Sequence, residues 1–126
     1  MKKETIRIFY VDENGEMSTH YIKNDLESKQ ALVKGLIEEI QIDGVSCIIN
    51  EEGRLLDLER SFAYEIMPNY WDCVHGTAFF VGADYKTGEF TSISDEDMNK
   101  AYDIVLKGRM VLGIIKEREQ ERENAN

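Results

Sequence analysis

Cys73-Val74-His75-Gly76-Thr77-Ala78-Phe79-Phe80-Val81-Gly82 is the stretch on which the fold turns. Apolar residues fall on both of its alternating faces, which predicts a central strand covered on both sides, or a strand bent near Gly76. A strand covered twice needs sheet neighbours and a layer above and below, and the flanking sequence supplies candidates for each.

On the N-terminal side, Thr5-Ile6-Arg7-Ile8-Phe9-Tyr10-Val11 is rich in β-branched and aromatic residues and reads as a strand. Asp12-Glu13-Asn14-Gly15 supplies a turn, because Asn-Gly tolerates positive φ, and Glu16 to Ile22 returns as the hairpin partner. Asn24 and Glu27 have capping-box spacing. They predict a helix through about Lys34, with Leu26, Ala31, Leu32 and Val33 on its apolar side and Gly35 as its stop. Leu36 to Ile42 alternates as a strand, Asp43-Gly44 turns the chain, and Val45-Ser46-Cys47-Ile48-Ile49-Asn50 is the next strand. Glu51-Glu52-Gly53 reverses it into Arg54-Leu55-Leu56. Leu58 to Met67 is the least regular interval and reads as a short helix ended by Pro68-Asn69.

On the C-terminal side, Asp84 to Phe90 is a turn and return. Ser94, with Asp97 three residues on and Asp95 and Glu96 in the first turn, marks a helix start; Met98, Ala101, Tyr102 and Val105 follow at helical spacing. Gly108 ends or weakens this helix. Beyond it, Met110-Val111-Leu112-Gly113-Ile114-Ile115 either continues the helix or docks on the body or on a second copy, with a charged tail after it. The expected fold is α/β of the α+β type: a small mixed or mainly antiparallel sheet, one helix after the N-terminal hairpin, and one or two C-terminal helices. Residues 1–107 are expected to form a single domain and residues 108–126 a helical extension or tail.

With 42% apolar and 32% charged residues the chain belongs to the globular class, and 126 residues suffice for one core. The formal net charge of -10 is uneven: residues 1–23 balance, residues 24–60 carry -5, residues 61–99 carry -6, and the remainder carries +1. A field of that sign repels a phosphate backbone, so direct nucleic-acid binding is not expected. No stretch approaches the ~20 apolar residues of a membrane span. Met1-Lys2-Lys3-Glu4 leads into the first strand without an apolar signal region, which points to the cytoplasm. Cys47 and Cys73 lie in apolar strand-like segments, where a free thiol behaves as a small hydrophobe.

Four pieces of the chain, Asp43-Gly44-Val45, Ile49-Asn50-Glu51-Glu52-Gly53-Arg54-Leu55, Asp72 with Gly76-Thr77-Ala78-Phe79-Phe80-Val81-Gly82, and Gly88-Glu89-Phe90-Thr91-Ser92-Ile93-Ser94, carry a resemblance. Together they resemble a family of bacterial, plasmid and phage proteins, the domain of unknown function DUF3846. The resemblance implies the fold and an origin on mobile genetic elements or in gut and soil Firmicutes, and it brings no catalytic residues. Its most specific pieces, Asn50-Glu51-Glu52-Gly53 and Gly76-Thr77, have structural explanations: glycine permits close approach and an Asn side chain satisfies nearby amides.

Side chains capable of chemistry are sparse. Cys73 and His75 share one face of a regular strand about 7 Å apart, and Cys47 can join them from another strand. A structural zinc site needs four such ligands; the other histidine is His20, and no paired-ligand motif occurs, so no metal or cofactor is expected. Glu38 with Glu39, Glu51 with Glu52, and Asp95 to Asp97 are carboxylate clusters with no sign of the separation that acid–base catalysis requires. No glycine-rich phosphate loop is present. The aromatic residues Tyr64, Tyr70, Trp71 and Tyr85, with the acids Glu51, Glu52, Asp84 and Glu89, form the candidate interaction surface. These features favour a non-enzymatic, acidic accessory protein that acts by binding another protein, in one version as an inhibitor or DNA mimic. The alternative is a small enzyme or ligand-binding domain with a pocket near Cys73, His75 and Asp72. Self-association through residues 110–115 is a further expectation.

Overall fold

Alternation builds the first hairpin. In Thr5–Val11 (β1), Ile6 and Ile8 turn to one side and Phe9 and Val11 to the other, and all four are buried. Met17–Lys23 (β2) pairs with it in antiparallel register, from Thr5 opposite Lys23 to Val11 opposite Met17. The Asp12 carboxylate fixes the turn by accepting from the Asn14 and Glu16 amides at 2.8 and 2.9 Å. The structure, a computed structural model, describes residues 4–125; Met1 to Lys3, read above as the lead-in to β1, and Asn126 lie outside the described residues.

Leu26–Val33 (α1), Ile37–Ile42 (β3) and Val45–Asn50 (β4) follow, with Asp43 and Gly44 both at positive φ in the two-residue turn between the strands. Arg60–Met67 (β5) and Tyr70–His75 (β6) form a separate two-stranded hairpin. Ala78–Asp84 (β7), Glu89–Thr91 (β8) and Asp95–Asn124 (α2) complete the chain. The main sheet runs β2-β1-β7-β4-β3, with β8 on β7, and every pairing is antiparallel.

The deciding stretch is both bent and doubly covered. Gly76, at φ +91°, carries the chain out of the hairpin, and β7 then occupies the centre of the main sheet. Phe79 and Val81 face α1, in a cluster with Ile6, Ile8, Val33 and Ile48. Ala78 and Phe80 face the opposite way, where Phe62 and Val74 of the hairpin and Ala101 and Val105 of α2 cover them together with Phe9, Val11, Val45 and Cys47. Phe62, Phe79 and Phe80 are wholly buried, each contributing about 1.5–3 kcal/mol by loss of water contact. The fold class expected from the pattern is the one observed: an N-terminal hairpin, one helix after it, an antiparallel sheet and a long C-terminal helix.

Four local readings are corrected. Leu58 to Met67 contains strand β5, not a helix; its register shifts between Arg60 and Phe62 and between Glu65 and Met67 erase the twofold period, and Pro68 with Asn69 at φ 66° turns the hairpin. The α1 N-cap is Asp25, whose carboxylate accepts from the Ser28 amide at 2.8 Å, because Asn24 is occupied between Phe90 O and Lys29 Nζ. The helix buries Lys29 and Val33, while Leu26 and Ala31 are exposed. Its left-handed C-cap is Lys34, at φ 62°, not Gly35.

Gly108 does not interrupt α2, which runs as one helix of 30 residues, about 45 Å long. Ser94 caps it as expected, accepting from the Asp97 amide at 3.1 Å. Ala101, Val105, Gly108 and Leu112 form its buried side, so Tyr102 is on the other one. Gly108 is a close-approach glycine: a side-chain carbon there would overlap the carbonyl oxygen of Ala63 in β5. Past it, Glu119 holds Arg60 at 2.8 Å and Lys116 lies 3.6 Å from Glu59.

Candidate functional site

Asn50 and Thr77 are the polar residues that the sequence marks most strongly, and both are directed at the end of α1. Thr77 Oγ1 donates to Leu32 O at 2.7 Å and Asn50 Nδ2 donates to Val33 O at 3.0 Å, satisfying carbonyls that a helix end leaves without partners. Asn50 Oδ1 accepts from the Glu52 amide at 2.8 Å, which sets the turn after β4. Gly35 is needed where Asn50 passes: a side-chain carbon there would lie 2.7 Å from Asn50 Nδ2. These motif residues hold architecture, as their local chemistry suggested.

Open surface with convergent side chains lies on the other face, where the hairpin and α2 cover the sheet incompletely. Ile42 and Asp43 from the β3–β4 turn, Tyr64, Glu65 and Trp71 from the hairpin, and Lys100, Asp103, Ile104 and Lys107 from α2 enclose a cleft of about 420 Å³. The position of each follows from its element. Lys100, Asp103, Ile104 and Lys107 recur at i, i+3, i+4 and i+7, so one helix face presents them all. Lys107 Nζ sits 5.5 Å from the centre of the Trp71 ring, a cation–π contact that holds the indole in the cleft wall.

A second, smaller lobe of about 210 Å³ lies on the other side of Tyr64, which lines both. Its wall includes Glu38, Glu51, Arg54, Asp72, Cys73 and His75. Asp72 is ion-paired with Arg54 and also accepts from the Cys73 amide at 2.8 Å. His75 Nδ1 lies 3.1 Å from Leu58 O. Burial pushes the Cys73 thiol and the Tyr64 phenol above their ordinary pKa values, and pushes the wholly buried Cys47 thiol up much further. Both cysteines are free; Cys47 is buried, and at the half-buried Cys73 the charges of Arg60 and Arg54 act against burial and against the carboxylates of Asp72 and Glu119. Among the described residues no three His, Cys, Asp or Glu side chains are grouped to hold a metal ion. His20 is on β2, bonded to Ser18 Oγ at 2.8 Å.

Of the eight residues expected at an interaction surface, Tyr64 and Trp71 line the cleft and Glu51 lines the second lobe with Tyr64. Tyr70 is exposed at the end of the same hairpin, one residue before Trp71. Glu52 sits beside Glu51 in the turn after β4. Asp84, Tyr85 and Glu89 are at the β7–β8 turn, at the far end of the central strand and about 20 Å from its start. Lys100, Asp103, Ile104 and Lys107 were not among the candidates, although their helical spacing was the signal that could have found them. No described helix is long and apolar enough to cross a membrane.

No curated protein and no solved structure matches the chain. The family model of DUF3846, a domain of unknown function, matches residues 6–106, from the second residue of β1 to the middle of α2. That span includes all eight strands except Thr5 at the start of β1, and the whole wall of the cleft except Lys107, and the chain belongs to the DUF3846 family.

Proposed function

We propose that this chain is a non-enzymatic accessory protein that binds a segment of a partner protein in the cleft between the hairpin, the β3–β4 turn and α2. The observation that carries the reading is the composition of that cleft: two aromatic walls, Tyr64 and Trp71, ringed by Asp43, Glu65 and Asp103 with Lys100 and Lys107 between them. Rigid aromatic surface supplies contact area at low entropic cost, and the flanking charges select what is presented to it. Lys107 is turned onto Trp71, so three carboxylates face the cleft against Lys100. The net charge of -10 has the same sign. The matching segment is an apolar side chain flanked by basic residues, drawn in by the field of the whole molecule. A partner with a basic nucleic-acid groove is one way to meet that description, which keeps the DNA-mimic inhibitor within the reading.

Replacing Trp71 with photoreactive benzoylphenylalanine in the native host, and Tyr85 in a parallel strain, tests it. The expected result is one basic partner captured from position 71 and not from position 85, with capture lost when Asp103→Lys and Glu65→Lys are added. Equal capture from both positions, or none at low and high salt alike, overturns the proposal. The second lobe supports a small-ligand reading, since Asp72, Cys73 and His75 line one pocket as that alternative requires. Specific labelling there by a small-molecule probe, abolished by His75→Ala, would favour it.

A further inference from the structure

Strand β3 ends the main sheet, so one row of its backbone groups has no neighbouring strand. Which groups these are follows from the register. Ile42 faces Val45 across the two-residue turn, and at the other end of the same pairing the Glu51 amide donates to Leu36 O at 2.8 Å. Both pairs belong to the even-numbered series, whose N–H and C=O groups exchange bonds with β4, so Ile37, Glu39 and Gln41 direct theirs outward. Alternation puts the even-numbered side chains on the α2 face of the sheet, where Ile42 belongs to the core cluster around Phe80 and Ile40 packs against it.

A bare edge is a property of every open sheet. At β3 the edge also runs beside both open pockets: Ile42 lines the cleft, Ile40 and Glu38 line the second lobe, and Tyr64 lines both. The three β3 residues are spaced two apart, over about 13 Å. Together the two lobes are lined by six carboxylates and three cations, net -3, and the exposed Glu39 adds a further negative charge beside the edge.

We infer that the partner segment binds as an added strand, antiparallel to β3, with an apolar side chain at the mouth of the cleft and basic side chains two and four residues later at the second lobe. This rests on the reading of the cleft as a protein-binding site and specifies how the segment lies in it. An extended backbone about 4.8 Å outside β3 satisfies the outward groups, and its alternate side chains stand beside Ile42, Ile40 and Glu38. Main-chain bonds then supply affinity and the two pockets supply selection. Antiparallel pairing continues the order of the main sheet and is the more stable per residue. A second β3 does not meet the requirement, because its charged residues are Glu38 and Glu39 and bring acid to acid.

The probe is the capped heptapeptide acetyl-Thr-Leu-Thr-Lys-Thr-Lys-Thr-amide, whose leucine falls opposite Ile42 and whose lysines fall opposite Ile40 and Glu38. It should bind with a Kd of roughly 10–500 µM, shift the Trp71 emission, and slow hydrogen exchange at the outward Glu39 and Gln41 amides. In this register the third and fifth peptide amides point at β3 and the fourth and sixth point away. N-methylation of the third and fifth should weaken binding more than about tenfold, and N-methylation of the fourth and sixth less than about twofold. Glu38→Lys, at an exposed position, should weaken binding several-fold with an unchanged circular-dichroism spectrum. Equal affinities for the two methylated peptides overturn the inference; if Trp71 emission still shifts, the cleft stands as a binding site without strand addition. Failure of the unmethylated peptide to bind at about 1 mM overturns it as well, and the cleft reading is then judged by photocapture at position 71, which uses no synthetic peptide.

Discussion

The two faces of the central sheet are finished in different ways. On the α1 face an eight-residue helix is fastened at both ends: Asp25 and Asn24 hold its start, and Thr77 and Asn50 take the carbonyls of its last turn. On the α2 face a 30-residue helix covers the hairpin along one side only, leaving an open cleft beneath and an apolar stripe of Tyr102, Leu106, Met110 and Ile114 above. Polar side chains directed at backbone groups thus mark the architectural face. On the other face, aromatic and charged side chains directed into open space mark the surface available for recognition. The residues that stand out most in the sequence belong to the first group.

The contrast breaks most readily at the two α2 glycines. Gly108→Leu should drive a side chain into the Ala63 carbonyl, lift α2 from β5 and cost about 3 kcal/mol, while Gly113→Ala, with nothing within 4 Å of the added carbon, should raise stability by about 0.5–1 kcal/mol. Urea titrations monitored by circular dichroism measure both, and similar effects at the two positions would dissolve the distinction between a used and an unused helix side. The next largest effect belongs to the fastened helix. Asn50→Ala leaves the Val33 carbonyl and the Glu52 amide without partners and should cost about 2 kcal/mol. Lys107→Gln, in the cleft wall, should cost about 0.5 kcal/mol. A Lys107 variant as damaging as Asn50→Ala would mean that the cleft is part of the frame.

The smallest effect is a pH dependence. Hydrogen bonds from Ser28, its hydroxyl first and its amide second, hold the Asp25 carboxyl below its ordinary pKa. A carboxyl lowered in the folded state stabilises it above the unfolded value, and this contribution disappears as pH falls through about 4 and below. Asn caps a helix almost as well as Asp but does not titrate there. Between pH 7 and pH 3, the urea midpoint of the wild type should therefore fall further than that of Asp25→Asn; parallel curves would show that the cap carries no charge-dependent share.

Much of the frame was legible because its signals are local. The β1–β2 hairpin followed from alternation and Asn14-Gly15, the β3–β4 turn from Asp43-Gly44, and the start of α2 from Ser94. Strand β5 was hidden for two reasons: its bulges place Phe62 and Ala63 both in the interior, and Glu59, Arg60, Ala63, Glu65 and Met67 are all compatible with a helix. The cap of α1 was misplaced by one residue because Asn24 and Asp25 are equivalent by propensity, and only the distant Phe90 carbonyl distinguishes them. Tyr64 and Trp71 were legible as aromatics worth attention. The cleft that joins them to α2 was not, since it depends on a hairpin and a helix whose nearest cleft residues, Trp71 and Lys100, are 29 positions apart in sequence.

Trp71 is the only tryptophan in the chain, and its ring forms part of the cleft wall beneath an ammonium group. The molecule therefore carries its own fluorophore at the place where occupancy matters. An incoming apolar group that expels solvent from the indole shifts its emission to shorter wavelength, and one that displaces Lys107 changes its intensity, so cleft filling can be titrated on the unlabelled wild type.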